Sequence, residues 1–133
     1  MMTIQEKAAA IVANAQIITL ASITENGYPR PVPMVKIKSE GVEVIYVVTG
    51  TSTAKTAHFR ANPKGGVSVV DDQNGIVMTG NVEIVTDKSV KTELWQDWLY
   101  NHIPKGVEDP EYTLLKFTAE SVTYWIDNEF VKE

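Results

Sequence analysis

The apolar residues of this chain fall into short runs with two different periods. Ile4, Ala8, Ile11, Val12 and Ala15 recur at helical spacing, which predicts an opening helix of about 12 residues. Thr3-Ile-Gln-Glu6 has the spacing of a capping box, in which the Thr3 hydroxyl accepts from the Glu6 N–H and the Glu6 carboxylate reaches back. Ile17 to Thr24 is rich in β-branched residues and predicts a strand. It stops at Glu25-Asn26-Gly27, where Asn-Gly supplies the positive φ angles of a tight hairpin turn. A second strand leaves from Pro31 or Val32 toward Lys38. Pro31 and Pro33 donate no ladder hydrogen bond, so this strand lies at an edge, at a bulge, or where its backbone faces something other than a neighbour.

Glu40-Gly41 makes the next turn, and the near-continuous apolar run Val42 to Thr49 predicts a strand buried on both faces. Thr53 to Asn62 predicts a short helix that stops at Asn62-Pro63, because the residue before proline is pushed out of the helical region. Gly66 to Val70 and Ile76 to Val85 pair across the polar loop 71–75. Asp87 caps a helix carrying Val90, Leu94, Trp95, Trp98 and Leu99. After a loop from Pro104 to Pro110, two strands finish the chain, Tyr112 to Ala119 and Ser121 to Ile126. No repeat or linker interrupts this order, so residues 1–133 read as one domain. Six or seven short strands joined mainly by hairpins predict a mainly β fold, an antiparallel barrel with flanking helices. A parallel doubly wound sheet would need a helix between most strands.

Composition removes several chemistries. With no Cys among 133 residues, disulfide frameworks, iron–sulfur clusters, zinc–thiolate sites and thiol nucleophiles are excluded. His58 and His102 lack the spacing of a metal site, and no Gly-x-Ser-x-Gly elbow supports hydrolysis. No apolar run approaches the ~20 residues of a spanning helix, and the N-terminus lacks a signal-peptide pattern. The expected location is therefore the cytoplasm, with no membrane partner. The net charge of −5 argues against a broad nucleic-acid surface. Its distribution says more. Residues 30–64 carry Arg30, Lys36, Lys38, Lys55, Arg60 and Lys64 against only Glu40 and Glu43, a local +4 that leaves −9 for the rest. A compact basic island in an acidic chain suits one small anionic ligand better than a polymer.

The stretch Thr49-Gly-Thr-Ser-Thr-Ala-Lys-Thr56 joins a buried strand to a helix start and crowds hydroxyls around one lysine. Helix N-termini expose unpaired N–H groups and partial positive charge, which favour an anion such as phosphate. Lys55 would add a full charge, and Ser52 or Thr53 a hydroxyl. The alternative is a plain Thr53 cap beside a solvated lysine. The nucleoside-triphosphate loop is excluded, since Gly50 is one residue too close and Ala54 stands where a second glycine is needed. Trp125 lies in Val122-Thr-Tyr-Trp-Ile126, where alternation sets it opposite Val122, Tyr124 and Ile126. If those face the core, Trp125 faces outward, as a residue covering a ligand or a partner does.

Taken in order, these pieces resemble the FMN-binding split β-barrel superfamily, the pyridoxamine 5′-phosphate oxidase-like proteins, and especially its small general-stress-protein flavin-binding branch. The matching residues are Ile17 to Thr24, Asn26 to Met34, the strand ending Tyr46-Val-Val-Thr49, Ser52-Thr-Ala-Lys55, Asn62-Pro63, Val77-Met-Thr-Gly80 and Tyr124-Trp125. The resemblance implies a six- to seven-stranded antiparallel split barrel that binds FMN. It implies that Arg30 and Lys55 hold the FMN phosphate with Ser52 and Thr53 beside them, and that Val32 and Met34 border the ribityl chain and ring. Val48 and Thr49 would line the isoalloxazine. It further implies a homodimer with FMN sites at the subunit interface, to which Trp125 is contributed from the other subunit. Ala54 stands where the oxidase has a further arginine, and the C-terminus Asn128 to Glu133 lacks its Arg-x-His, so vitamin B6 oxidation is not expected. The implied activity is an FMN-dependent oxidoreductase acting on a small molecule. The alternatives are a non-catalytic flavin-binding or redox-sensing stress protein, and a relative that binds deazaflavin or haem.

Overall fold

The computed structural model describes all 133 residues and is mainly β. Its elements are α1 (Ile4–Asn14), β1 (Ile17–Ile23), β2 (Pro29–Glu40), β3 (Val44–Gly50), α2 (Ala54–Ala61), β4 (Lys64–Asp71), β5 (Asn74–Val85), α3 (Lys88–Glu93), two 3₁₀ turns (Asp97–Asn101 and Gly106–Glu108), β6 (Tyr112–Ile126) and β7 (Glu129–Lys132). The strands run β3-β2-β1-β4-β5-β6-β7, every pairing antiparallel, and β3 also pairs with β6. Six strands thus close into a barrel, and β7 extends it along the far half of β6. No helix is long and apolar enough to cross a membrane.

Local chemistry explains most of these elements. The Thr3–Glu6 capping box forms in both directions, and Ala8 and Val12 of α1 are buried against the barrel. Pro29, Pro31 and Pro33 all lie inside β2, which starts two residues earlier than the sequence suggested. The Lys36 N–H donates to Gln16 and the Tyr28 carbonyl accepts from Thr24, so even-numbered residues of β2 face β1. The three prolines therefore face the other side, where β3 pairs only from Lys36 onward, and no ladder bond is lost. In the β1–β2 turn only Gly27 has positive φ, +85°, rather than Asn26 and Gly27 together.

Three expectations are corrected. The loop 71–75 shrinks to Asp72-Gln73, because Asp72 adopts φ 54° and lets pairing continue to Asp71 and Asn74. The helix after Asp87 stops at Glu93, so Trp95, Trp98 and Leu99 leave the helical register and pack instead from an irregular segment and a 3₁₀ turn. The last two predicted strands are one, β6, interrupted only by a bulge at Glu120 opposite Thr79 and Gly80. A further hairpin follows: Asp127 and Asn128 have φ of 53° and 66°, the two positive values that turn β6 into β7.

Alternation divides each strand between two environments. Ile18, Leu20, Ile45, Val67, Ile76, Met78, Leu115 and Phe117 fill the barrel. Outside β3, β5 and β6, a second cluster of Val85, Leu94, Ile103, Tyr112 and Leu114 is covered by the 88–110 segment, and Tyr46 and Val48 pack against it. The outer face of β2, β1, β4, β5 and β6 has no such cover. There Val70, Gly75, Trp125 and Phe130 form one row across four strands, and Ile17, Val70, Val77, Trp125 and Phe130 are all exposed. Between Lys64 and Lys132 at its borders the one charge on this face is Glu120 at the bulge, which accepts from Asn81 at 2.7 Å; Thr19, Ala21, Ser68, Thr79, Ser121 and Thr123 fill the rest.

Gly80 sits at the bulge, where an added Cβ would meet the Thr118 carbonyl oxygen at 2.0 Å. Since the obstacle is backbone, it cannot step aside as a side chain would. Gly80→Ala is expected to destabilise the fold by about 2–3 kcal/mol, read as a lowered midpoint in thermal unfolding.

Candidate functional site

The fold brings two basic residues of the island, Arg30 and Lys55, to one end of the barrel. Arg30 of β2 lies directly across from Ser22 of β1. Helix α2 packs on β1 and β5 through the buried Thr56 and Phe59, which puts Lys55 on the flank facing the same hairpin. Burial lowers the Lys55 pKa from its ordinary value, and the positive charge of Arg30 lowers it further. Two like charges are thus close, and neither has a carboxylate or hydrogen-bond partner in the chain. The other strand lysines are accounted for differently. Lys36 donates to the Ala13 carbonyl at the end of α1 at 2.9 Å, and Lys38 pairs with Glu40 at 3.4 Å.

Thr53 occupies the cap position of α2 but does not cap it. Its hydroxyl donates to the Gly50 carbonyl at 2.9 Å and lies 3.3 Å from Thr49 Oγ1 and 3.1 Å from Thr56 Oγ1. The opening N–H groups of α2 therefore have no side-chain acceptor. Ser52 is engaged elsewhere: its N–H donates to Glu111 at 3.0 Å and its hydroxyl donates to the same carboxylate. These bonds hold the Glu111 carboxyl below the usual carboxylate range. They also anchor the loop between β3 and α2 to the start of β6, where Thr51 N–H meets the Glu111 carbonyl. The sequence offered no signal for Glu111, 59 residues from Ser52.

Val48 and Thr49, at the end of β3, line a cleft of about 420 Å³. Val35 of β2 borders it, and its far wall is Trp98, Leu99, His102 and Ile103 from the 3₁₀ segment. Val32 is half-buried opposite Leu20, and Met34 is only 5% exposed, its side chain in the barrel core. Trp125 is on the outer face, as alternation predicted, and 57% exposed. It is 12 residues beyond Thr113, the β6 partner of Thr49, so it stands roughly 40 Å along the strand from its own chain's cleft. The structure thus brings together Arg30 and Lys55, and Val48, Thr49 and Thr53, but leaves Trp125 apart.

Comparison with known proteins follows this geometry. A family model described as pyridoxamine 5′-phosphate oxidase like matches residues 4–132. The chain belongs to that family. Among solved structures, this family member is 31% identical to a protein from Clostridium acetobutylicum related to general stress protein 26 of B. subtilis and assigned to the pyridoxinephosphate oxidase family. That match covers 96% of this chain and 91% of that one, with a TM-score of 0.86. The general stress protein 26 of Bacillus anthracis is 26% identical over 99% of this chain and 100% of that one, TM-score 0.82. A heme binding protein from Mycobacterium smegmatis shares the fold alone, at 10% identity and TM-score 0.80, covering 100% of this chain and 58% of that one. A search of curated proteins gives no significant match.

Removing the neighbouring charge is the direct check on the cationic pair. In Arg30→Ala the Lys55 pKa is expected to rise, though not to its ordinary value, because burial is the larger cause of its depression. Titration of the lysine side chain by NMR reads this shift.

Proposed function

We propose that this chain is an FMN-binding flavoprotein that works as a homodimeric oxidoreductase on a small molecule. The observation that carries the proposal is the pair of uncompensated cations, Arg30 and Lys55, beside the uncapped start of α2. Two cations that repel each other with no acid between them are stabilised by a dianion, and a phosphate monoester supplies one. The adjoining cleft suits the rest of the molecule. Val35, Val48, Leu99 and Ile103 give it apolar walls for a planar ring, and Thr49 a hydroxyl. Membership of a family that often binds flavin supports the same reading. Bound FMN would supply hydride or electron transfer at its ring. The protein's share is to hold the phosphate through Arg30 and Lys55, orient the ring against β3, and limit water through the 3₁₀ wall.

The outer face, with its exposed apolar row and little charge, supports the second copy. The chain exposes 7752 Å², about 800 Å² more than a compact monomer of its mass would. A copy seated there would cover Val77, Trp125 and Phe130, and would bring its Trp125 toward a cleft that this chain's own Trp125 cannot reach.

Titration with FMN tests the cofactor. Wild type should bind and become yellow, and Lys55→Ala or Arg30→Ala should each lose about 10- to 100-fold in affinity while melting as wild type does. A protein that ignores FMN at millimolar concentration would overturn the assignment. For the assembly, sedimentation should show a dimer for wild type and a monomer for a Trp125→Glu, Phe130→Glu double variant. A wild-type monomer at working concentration sinks the dimer.

A further inference from the structure

The same end of the barrel holds a third titratable side chain that the cofactor reading leaves unused. Ser22 is 1% exposed, with its hydroxyl 2.8 Å from Nδ1 of His58. A buried hydroxyl needs a partner, and this one is supplied by a helix rather than by the neighbouring strand. His58 follows Lys55 by three residues on α2, so the two side chains are neighbours on one flank. Ser22 is in turn the cross-strand partner of Arg30, and residues paired in this way point to the same face. The charge of Arg30 then reaches Lys55. Ser22 and His58 are thus hydrogen-bonded on the buried side, with Lys55 one helical turn from His58 and Arg30 across the strand pair from Ser22. Nδ1 is engaged inward, and Nε2 has no partner in the chain. The half-buried imidazole lines a cleft of about 470 Å³ between α2 and the Ile23–Glu25 end of β1, whose lining includes the acidic Glu25 and neither Arg30 nor Lys55.

We propose that His58 is a third phosphate-binding side chain, fixed by Ser22 with Nε2–H directed at the anion that Arg30 and Lys55 hold. Nδ1 is the one acceptor the Ser22 hydroxyl has in the chain; with Ser22 donating to it, the ring hydrogen lies on Nε2 and the outer nitrogen is a donor. Three donors of different reach then surround one phosphate, and the site selects a terminal monoester over the same molecule without it. The inference rests on the cofactor reading above and deepens it.

Two substitutions separate binding from scaffolding, because asparagine places its amide near Nδ1 and glutamine near Nε2. His58→Asn keeps the contact to Ser22 and loses the outer donor; His58→Gln does the reverse. Calorimetric titration with FMN and with riboflavin, which differ by the phosphate, reads the result alongside thermal melting. FMN affinity is expected to fall about tenfold in His58→Asn, with riboflavin affinity and melting unchanged, and to recover within about threefold in His58→Gln. Equal losses for both flavins, or an unchanged FMN affinity in His58→Asn, overturn the role of His58 and leave the cofactor reading standing. Inorganic phosphate is the second probe. If wild type ignores FMN yet binds phosphate with the same asparagine–glutamine difference, the anion site stands and FMN falls; if it binds neither, both fall.

Discussion

Strand β6 is the constraint on which the architecture depends. Its first half is hydrogen-bonded on both edges, to β3 from Tyr112 to Thr118 and to β5 from Leu114 onward, and this double use closes the barrel. Closure fixes where the β3–α2 loop lies, because Gly50 is opposite Tyr112 and the preceding Glu111 holds Ser52. Past the bulge at Glu120 the same strand leaves β3 and takes β7 as its partner. One strand thus anchors the loop that leads into the basic site and, 13 residues after Tyr112, presents Trp125 on the opposite, uncovered surface.

That geometry gives the barrel two unlike halves. The 88–110 segment covers one half with Leu94, Trp95 and Ile103 and builds the wall of the cleft beside Val48 and Thr49. The other half has no cover from its own chain, and Glu120 at the bulge is the one charge inside its borders. At the end between them, Arg30 and Lys55 sit together without an acid. Repulsion of that kind costs stability in the free protein and is relieved when an anion binds, which links the structural oddity to the proposed cofactor. The bare half and the cationic end are two separate incompletenesses of one chain, and the proposed second copy and phosphate-bearing cofactor would answer them respectively.

Much of this was legible because it is local. The capping box of α1, the cap at Asp87, the stop at Asn62-Pro63 and the period-two alternation of Val122 to Ile126 depend on residues a few positions apart, so each appears in the sequence with its cause, whereas the apolar run of β3 suggested burial on both faces and the structure alternates it. The outward position of Trp125 came from the same alternation. Arg30 and Lys55 were legible as a charge imbalance in residues 30–64. The misses were also local in form but decided by pairing. Asp72, Asp127 and Asn128 accept positive φ because strand pairing on either side recovers the cost. The helical spacing of Trp95, Trp98 and Leu99 gave way to packing on β3 and β6.

The sequence by itself determined which segments extend or coil, which faces of the strands are apolar, and where positive charge accumulates, since hydrophobic period, capping and composition act over a few residues. Only the tertiary structure decided that Arg30 meets Lys55, that Glu111 claims Ser52, that Ser22 holds His58, and that one half of the barrel stays bare. Those contacts join residues 25 to 59 positions apart. They exist because antiparallel closure brings distant strand ends to the same rim, and no local pattern along the chain encodes that meeting.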